Sequence, residues 1–310
     1  MNITLQSLLP WRRPKLDPER SQAVRRTFDE TSHYAAWSAY CRAHMARPVG
    51  ASPSDELPQH GFEILPVLTA AEAATAKATI LAHGSMTRAS KRDVDYSDVM
   101  QFDDCAFLLS ILERIFSPAM DARLVAHFHS EYFVYSFAVI RTVPAAIARR
   151  SFLWHSDRGP KDFLRLNLFL DATMEHGSTT EFVDRRGSAA LERLGYTFGP
   201  NSRRVANLEP LARRTGIEVR PVHPDVKAGE ALLFEAANVL HRGILPHRGA
   251  RHVLSMMLIP SPVPWKTVWA VTACSRAAEE NRGRWAPDAS GLFHMIGIEP
   301  PSDGLQAWGP

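Results

Sequence analysis

The chain has 310 residues, 45% of them hydrophobic, and a formal net charge of +3, which is enough apolar content to bury a full core in one elaborated domain. Its basic residues form neither an uninterrupted run nor a reading module with aromatic platforms, so nucleic acid is not expected as a partner, and no stretch approaches the ~18 apolar residues of a membrane span. Cys41, Cys105 and Cys274 are odd in number, widely separated and free of any Cys-x-x-Cys pattern, which points to a reducing, cytoplasmic setting without a disulfide frame.

The opening MNITLQSLLPWRRPK lacks an apolar run long enough for a signal peptide. Leu5, Leu8, Leu9 and Trp11 beside Arg12, Arg13 and Lys15 leave two readings, a peripheral contact with an anionic inner-membrane surface or a frayed terminus. Asp17-Pro18-Glu19 supplies an N-cap, a first-position proline and an early acid, and Val24, Phe28, Trp37, Cys41 and Met45 extend a half-buried helical stripe to about Arg47. Pro48 to Pro58 has the composition of a linker. Thr69-Ala70-Ala71-Glu72 is a capping box opening a helix that Gly84 closes, and a further helix runs from Asp104 to Phe116 ahead of Pro118.

Strand signals follow the helices, an α+β order. Glu131 to Arg141 (EYFVYSFAVIR) is aromatic and β-branched throughout. Ser151 to Trp154 runs into His155-Ser156-Asp157 and then the turn Arg158-Gly159-Pro160. Leu164 to Asp171 alternates, with Leu164, Leu166, Leu168 and Leu170 on one side and Arg165, Asn167 and Phe169 on the other, a strand between a core and a polar lumen or solvent. Tyr196 to Gly216 interrupts the strands with paired arginines and Gly199-Pro200-Asn201, reading as a specificity insertion or a solvent loop. A Lys227-Ala228-Gly229 turn feeds the apolar strand Ala231 to Phe234; His241-Arg242-Gly243 follows, then Arg251 to Ile259, with Arg251, Val253 and Ser255 on one face. The tail from Pro260 carries Trp265, Trp269, Trp285 and Trp308 and is expected to pack on the core or on another subunit, leaving the oligomeric state open.

Candidate chemistry lies in the histidines. With 13 His and 33 acidic residues, roughly one or two His-x-acid triplets arise by chance, so none stands alone. Three occur. His223-Pro224-Asp225 has a proline where a ladder donor is needed and reads as a loop. His129-Ser130-Glu131 opens a buried strand and is a rival. His155-Ser156-Asp157 sits where a strand meets a turn, with both ligand-type side chains on one face. With His241 it sets two imidazoles and a carboxylate in metal-ligand order, an arrangement that on a β-scaffold suits non-haem Fe(II) with open positions. Arg251, ten residues beyond His241, heads a strand, and an arginine so placed can reach the far carboxylate of a bound dicarboxylic acid as a bidentate fork.

The order GFEILPVLTAAEA from residue 61, WHSD from 154, LNLFLD from 166, HGSTTEFVDRRGS from 176 and GEALLF…H…R from 229 resembles the phytanoyl-CoA dioxygenase-like branch of the Fe(II)/2-oxoglutarate oxygenases. The resemblance covers residues 61–260, flanked by a helical extension and linker at 1–60 and a Trp-rich extension at 261–310. It implies a double-stranded β-helix, or jelly-roll, with His155, Asp157 and His241 as iron ligands and Arg251 on the C5 carboxylate of 2-oxoglutarate. Asn167, Thr179 and Ser255 become further cosubstrate contacts. Two positions depart from the pattern: Gly243 stands where relatives carry Ser or Thr, and Arg186-Gly187-Ser188-Ala189 replaces a Pro-Gly-Ser-His turn. The presence of Asp157 points to hydroxylation or desaturation rather than halogenation.

That chemistry would consume 2-oxoglutarate and O2, release succinate and CO2, and oxidise a nearby C–H, the protein placing the substrate and excluding water. Trp154, Phe163 and Phe169 are candidates for the dry wall. Residues 141–251 hold 18 Lys/Arg against 12 Asp/Glu, so the expected substrate is a small or lipid-linked anion, such as a lipopolysaccharide sugar acid, an acyl thioester or a natural-product intermediate. The alternative is a jelly-roll that binds metal without turnover or without 2-oxoglutarate.

Overall fold

The computed structural model describes residues 16–26, 33–45, 47–50, 56–87, 97–101, 104–197, 203–269 and 284–285. The basic amphipathic stretch at Leu5 to Lys15, Phe28, Cys274 and Trp308 lie outside them, as does the side chain of Trp285. Helices come first: α1 Pro18–Arg26, α2 His33–Ala43 and the short α3 Glu56–His60, then β1 Phe62–Pro66, α4 Ala70–His83, β2 Ser85–Thr87, β3 Ser97–Gln101, α5 Cys105–Ile115 and α6 Pro118–Phe128. The strand-rich half follows with β4 Glu131–Thr142, a 3-10 turn at Arg150–Phe152, β5 Leu164–Phe169, α7 Thr173–His176, β6 Thr180–Val183, α8 Arg185–Arg193, α9 Glu209–Ala212, β7 Pro221–Val222, β8 Glu230–Phe234, β9 His241–Gly243, β10 Arg251–Ser261 and β11 Arg284–Trp285.

Local signals account for most of these boundaries. Thr69 Oγ1 accepts from the Glu72 amide while the Thr69 amide donates to Glu72 Oε2 at 2.7 Å, the reciprocal cap that starts α4 and stabilises such a helix by about 1 kcal/mol. Asp104 caps α5 through the Phe107 amide. Ser117 caps α6, with Pro118 at its first position; Pro118 therefore opens a second helix as well as ending the one before it. Asp17 caps α1, and the expected stripe to Arg47 is helical in its described parts, Pro18–Arg26 and His33–Ala43, while residues 27–32 lie outside them. The segment Arg186-Gly187-Ser188-Ala189 is the first turn of α8, capped by Asp184 on the Gly187 amide, instead of a free turn.

The strands pair as a jelly-roll. The large sheet runs β1-β8-β5-β10-β4-β3-β2, with β11 also on β4, and the small one runs β7-β6-β9; His155 extends the small sheet through an antiparallel bridge to His241, and Trp154 bridges Val205. Taken in chain order as β4, the 154–155 segment, β5, β6, β7, β8, β9 and β10, the first, eighth, third and sixth segments lie side by side in the large sheet, and the second, seventh, fourth and fifth in the small one. This alternation between sheets is what a doubly wound β-helix requires. The two sheets meet through aromatics: Phe182 on β6 stacks on Phe62 of β1 at 4.5 Å and packs edge-on to Phe234 of β8 at 5.1 Å. Such pairs add about 0.5–1.5 kcal/mol each beyond their burial.

The helices close the outer side of the large sheet. Leu164, Leu166 and Leu168 of β5 are fully buried against them, and Trp37 of α2 donates its indole N–H to the Pro260 carbonyl at 3.0 Å. Trp265 and Trp269 are buried in the same core, with Trp265 4.9 Å from Phe116. Among the described residues no helix is long and apolar enough to cross a membrane. The opposite face of β5 and β10 looks into the space between the sheets, and that lumen is where the candidate residues gather.

Candidate metal centre

His155, Asp157 and His241 come together in the lumen, each offering one ligand atom, all within 4.8 Å of one another. The backbone makes this convergence: His155 and His241 are bridge partners between segments far apart in sequence, and the Asp157 amide donates to the Ala236 carbonyl at 2.8 Å, holding the turn beyond the bridge. Each imidazole is oriented in the same way. His155 Nδ1 lies 2.7 Å from the Leu153 carbonyl and His241 Nδ1 lies 3.0 Å from the Val239 carbonyl. A carbonyl only accepts, so Nδ1 carries a proton in both rings, which leaves Nε2 as the nitrogen turned toward the cation position. Those Nε2 atoms sit 3.5 Å and 3.8 Å from Asp157 Oδ1.

The protonation states suit a cation. Burial pushes the Asp157 carboxyl up, but the Arg165 guanidinium, followed by the hydrogen bond and charges of the two histidines, outweighs it and holds the group well below the usual carboxylate range. Burial, with the neighbouring His155, brings His241 down to about 3 against the pull of Asp157. An ionised carboxylate and two imidazoles turned with Nε2 inward therefore meet in one place, the donor set that binds a divalent transition ion from one side.

Arg251 stands at the head of β10, 8% exposed, and no acidic side chain among the described residues pairs with it. Its Nη1 donates to the Thr179 carbonyl at 3.1 Å and its Nη2 approaches Thr142 Oγ1 at 3.5 Å, while the guanidinium lies over the Phe169 ring at 5.7 Å. Burial brings this arginine down to about 10, with the charge of Asp171 opposing. A buried guanidinium without a counter-charge is costly unless a ligand supplies one.

The remaining expected residues line the same space. Ser255 is the direct cross-strand partner of Asn167, one strand step from Phe169. The Arg251 Nε, Asn167 Oδ1 and Thr179 Oγ1 atoms are buried without a hydrogen-bond partner; native proteins rarely leave so many in one place unless something else satisfies them. Phe169 forms part of this wall, whereas Trp154 belongs to a separate small core with Val183, Leu191 and Tyr196, and Phe163 to the main core. Gly243 faces Phe152, whose ring carbons would lie 3.0 Å from an added Cβ, so the ring occupies the space that a side chain there would need.

The rival triplets are placed elsewhere. His129 is an exposed residue in the left-handed conformation that ends α6, and Glu131 pairs with Arg47. His223 is exposed and bound to Glu181. Sequence reasoning missed Arg165, whose Nε donates to Asp157 Oδ2 at 2.9 Å; the period-two pattern of β5 had put it on the polar side without naming a partner. The Tyr196 hydroxyl, bound to the Trp154 carbonyl at 2.8 Å and to the Val205 amide at 3.0 Å, fixes the strand just ahead of His155 and carried no sequence signal at all.

No family model and no curated protein sequence matches the chain. Solved structures similar to it include the non-haem alpha-ketoglutarate-dependent epimerase SnoN from nogalamycin biosynthesis, at 15% identity over 73% of this chain and 83% of that one with a TM-score of 0.45. EctD from S. alaskensis with 2-oxoglutarate and 5-hydroxyectoine is similar at 14% identity, over 70% and 80% of the two chains, with a TM-score of 0.47. HygX from Streptomyces hygroscopicus with nickel and 2-oxoglutarate bound is similar at 13% identity, over 66% and 85%, with a TM-score of 0.43. At such distances the residues of the site, and not the likeness, carry the functional reading.

Proposed function

We propose that the chain is an Fe(II)- and 2-oxoglutarate-dependent dioxygenase that hydroxylates a C–H bond of a small or lipid-linked anionic molecule. The observation that carries the reading is the pairing, in one lumen, of two carbonyl-oriented imidazoles and an ionised carboxylate with a buried, uncompensated Arg251. The first set suits a ferrous ion and the second suits the far carboxylate of a dicarboxylic keto acid. The finer placement in the phytanoyl-CoA dioxygenase-like branch rests on the order of the sequence motifs.

In this reading His155 Nε2, Asp157 Oδ1 and His241 Nε2 hold Fe(II), and Arg251 binds the C5 carboxylate of 2-oxoglutarate. Thr179, Asn167 and Ser255 offer the polar atoms that the cosubstrate satisfies. Bound iron supplies the redox chemistry that couples O2 and 2-oxoglutarate to substrate oxidation, giving succinate, CO2 and the hydroxylated product. The chain's own work is binding and exclusion. Phe169, Phe234 and Val253 keep the lumen dry, which strengthens each charge interaction inside it, and Nδ1–H donation to backbone carbonyls keeps both imidazoles in the ligating tautomer.

The test is anaerobic titration of Fe(II) and 2-oxoglutarate followed by O2. A visible charge-transfer band and succinate release are expected, and both should disappear in Asp157→Ala. Iron binding with no succinate on exposure to O2, under a screen of anionic metabolites, would instead mark a metal-binding jelly-roll.

A further inference from the structure

Resting on that reading of the metal centre, we propose that Arg165 both positions Asp157 and anchors an anionic group of the primary substrate beside the metal. The side chain comes off the lumen face of β5, opposite Met257 on β10 and Phe234 on β8. Its Nε donates to Asp157 Oδ2 at 2.9 Å. One carboxylate oxygen is thereby engaged, and the other, Oδ1, is the one that faces both histidine Nε2 atoms. A guanidinium that engages one oxygen leaves a single oxygen for the ion, which favours one-point ligation and keeps neighbouring coordination positions open.

The rest of the guanidinium is uncommitted. Arginine carries five N–H donors in a rigid fork; here Nε alone is used, and neither Nη nitrogen has a partner among the described residues. Met257 and Phe234, the strand partners on either side, offer from their side chains no acceptor stronger than a thioether. The side chain is 33% exposed against 8% for Arg251 as a whole residue, so Arg165 lies on the open side of the site and Arg251 on the closed side. The two cations thus have different roles, one for a deeply held cosubstrate and one for a molecule entering from outside.

Charge counting agrees. A divalent ion, Arg165 and Arg251, set against Asp157 and the two carboxylates of a keto acid, leave one positive charge over in a space walled by apolar side chains. A lumen of that kind attracts a substrate carrying a carboxylate or phosphate, and it places that group within a guanidinium's reach of the metal.

The experiment uses Co(II), whose visible bands report the ligand field, and inorganic sulfate as the anion probe, on the full-length protein under anaerobic conditions. In Arg165→Gln, Co(II) affinity measured by calorimetry should fall ~10–100-fold, the loss seen when a partner of a metal ligand is removed. Sulfate should perturb the Co(II) bands of the wild type saturated with 2-oxoglutarate but not those of R165Q, and R165Q should keep 2-oxoglutarate affinity within about threefold, since its C5 carboxylate is held by a separate guanidinium. Arg165→Lys should keep the sulfate response and lose the metal affinity, because an ammonium is one point of charge and cannot serve both groups as a fork does. Unchanged Co(II) affinity or a surviving sulfate response in R165Q overturns the proposal. So does a loss of 2-oxoglutarate affinity as large as that of Arg251→Ala, which would give the anion to the cosubstrate. The far-UV circular dichroism of R165Q should match that of the wild type at the assay temperature, and His155→Ala separates the two levels: if it loses Co(II) while R165Q behaves as wild type, only the role of Arg165 falls, and if it binds Co(II) as the wild type does, the metal reading itself falls.

Discussion

His155 and His241 are backbone partners before they are side-chain neighbours: the His155 amide donates to the His241 carbonyl at 3.0 Å and the His241 amide to the His155 carbonyl at 2.8 Å. A directly opposed antiparallel pair brings its side chains to the same face of the sheet, so the ring centroids end 4.4 Å apart. The sheet that holds the fold together also sets the spacing of two ligands.

Removal of either ring should therefore abolish tight metal binding. His155→Ala and His241→Ala are each expected to lower Fe(II) or Co(II) affinity by more than the ~10–100-fold typical of outer partners, while His129→Ala, on the exposed end of α6, leaves it unchanged. Calorimetric titration of the three variants checks this; a strong effect at His129 with none at His155 would hand the site to the rival triplet.

Arg251 makes a two-sided prediction. Arg251→Ala should weaken 2-oxoglutarate binding by about 100-fold, in line with the ~2–5 kcal/mol that truncating one member of a buried charge pair costs, with metal affinity nearly unchanged. Without ligand the same charge is uncompensated in the interior, so Arg251→Met should leave the unfolding midpoint of the metal-free protein equal to or above that of the wild type. A large fall in that midpoint would show that the hydrogen bonds to Thr179 and Thr142, and not a ligand, are what the guanidinium serves.

What could be read from the sequence was whatever one local pattern encodes. The strand of Leu164 to Asp171 and the sharing of a face by Arg251, Val253 and Ser255 follow from a period of two, and the cap at Thr69 follows from side chains three residues apart. His155, Asp157 and His241 were legible because their chemistry is rare in combination. The partner of Arg165 was not, because a period fixes the face of a side chain and says nothing of what lies across the lumen. Pro118, read only as following the helix that ends at Phe116, carries the start signal for α6 as well, since proline ends one helix by the same missing N–H that lets it begin another.

The turn before β8 depends on one backbone position. Gly229 has φ +90, and a Cβ there would lie 2.2 Å from the Leu68 carbonyl oxygen. Its amide donates to the Phe169 carbonyl and its own carbonyl accepts from Val67 and Leu68, so it ties β5, β8 and the entry to α4 together. Both the conformation and the close approach exclude a side chain. Gly229→Ala should cost about 2–4 kcal/mol, above the ordinary penalty for a strained backbone site because the obstruction is main chain. Urea unfolding measures it; a cost under 0.5 kcal/mol would mean that the turn relaxes.

Acid sensitivity should come in part from Asp171, buried at the end of β5, where it pairs with Lys77 and accepts from both the ring and the amide of His252. Burial raises its carboxyl, but the hydrogen bonds to His252 and Lys77 outweigh this and bring it down to about 2. A carboxyl depressed in the folded state adds stability above its unfolded value near 4 and loses it as the pH falls toward the folded value. The contribution, about 2 kcal/mol at neutral pH, should vanish between about pH 4 and pH 2. Asp171→Asn should lower stability at pH 6 by at least that amount, since it also strands Lys77 and His252, and should flatten the fall in stability over the acid window. Parallel urea titrations of wild type and variant at pH 6 and pH 3 give the comparison; an equal loss for both on acidification would place the acid-labile carboxylate elsewhere.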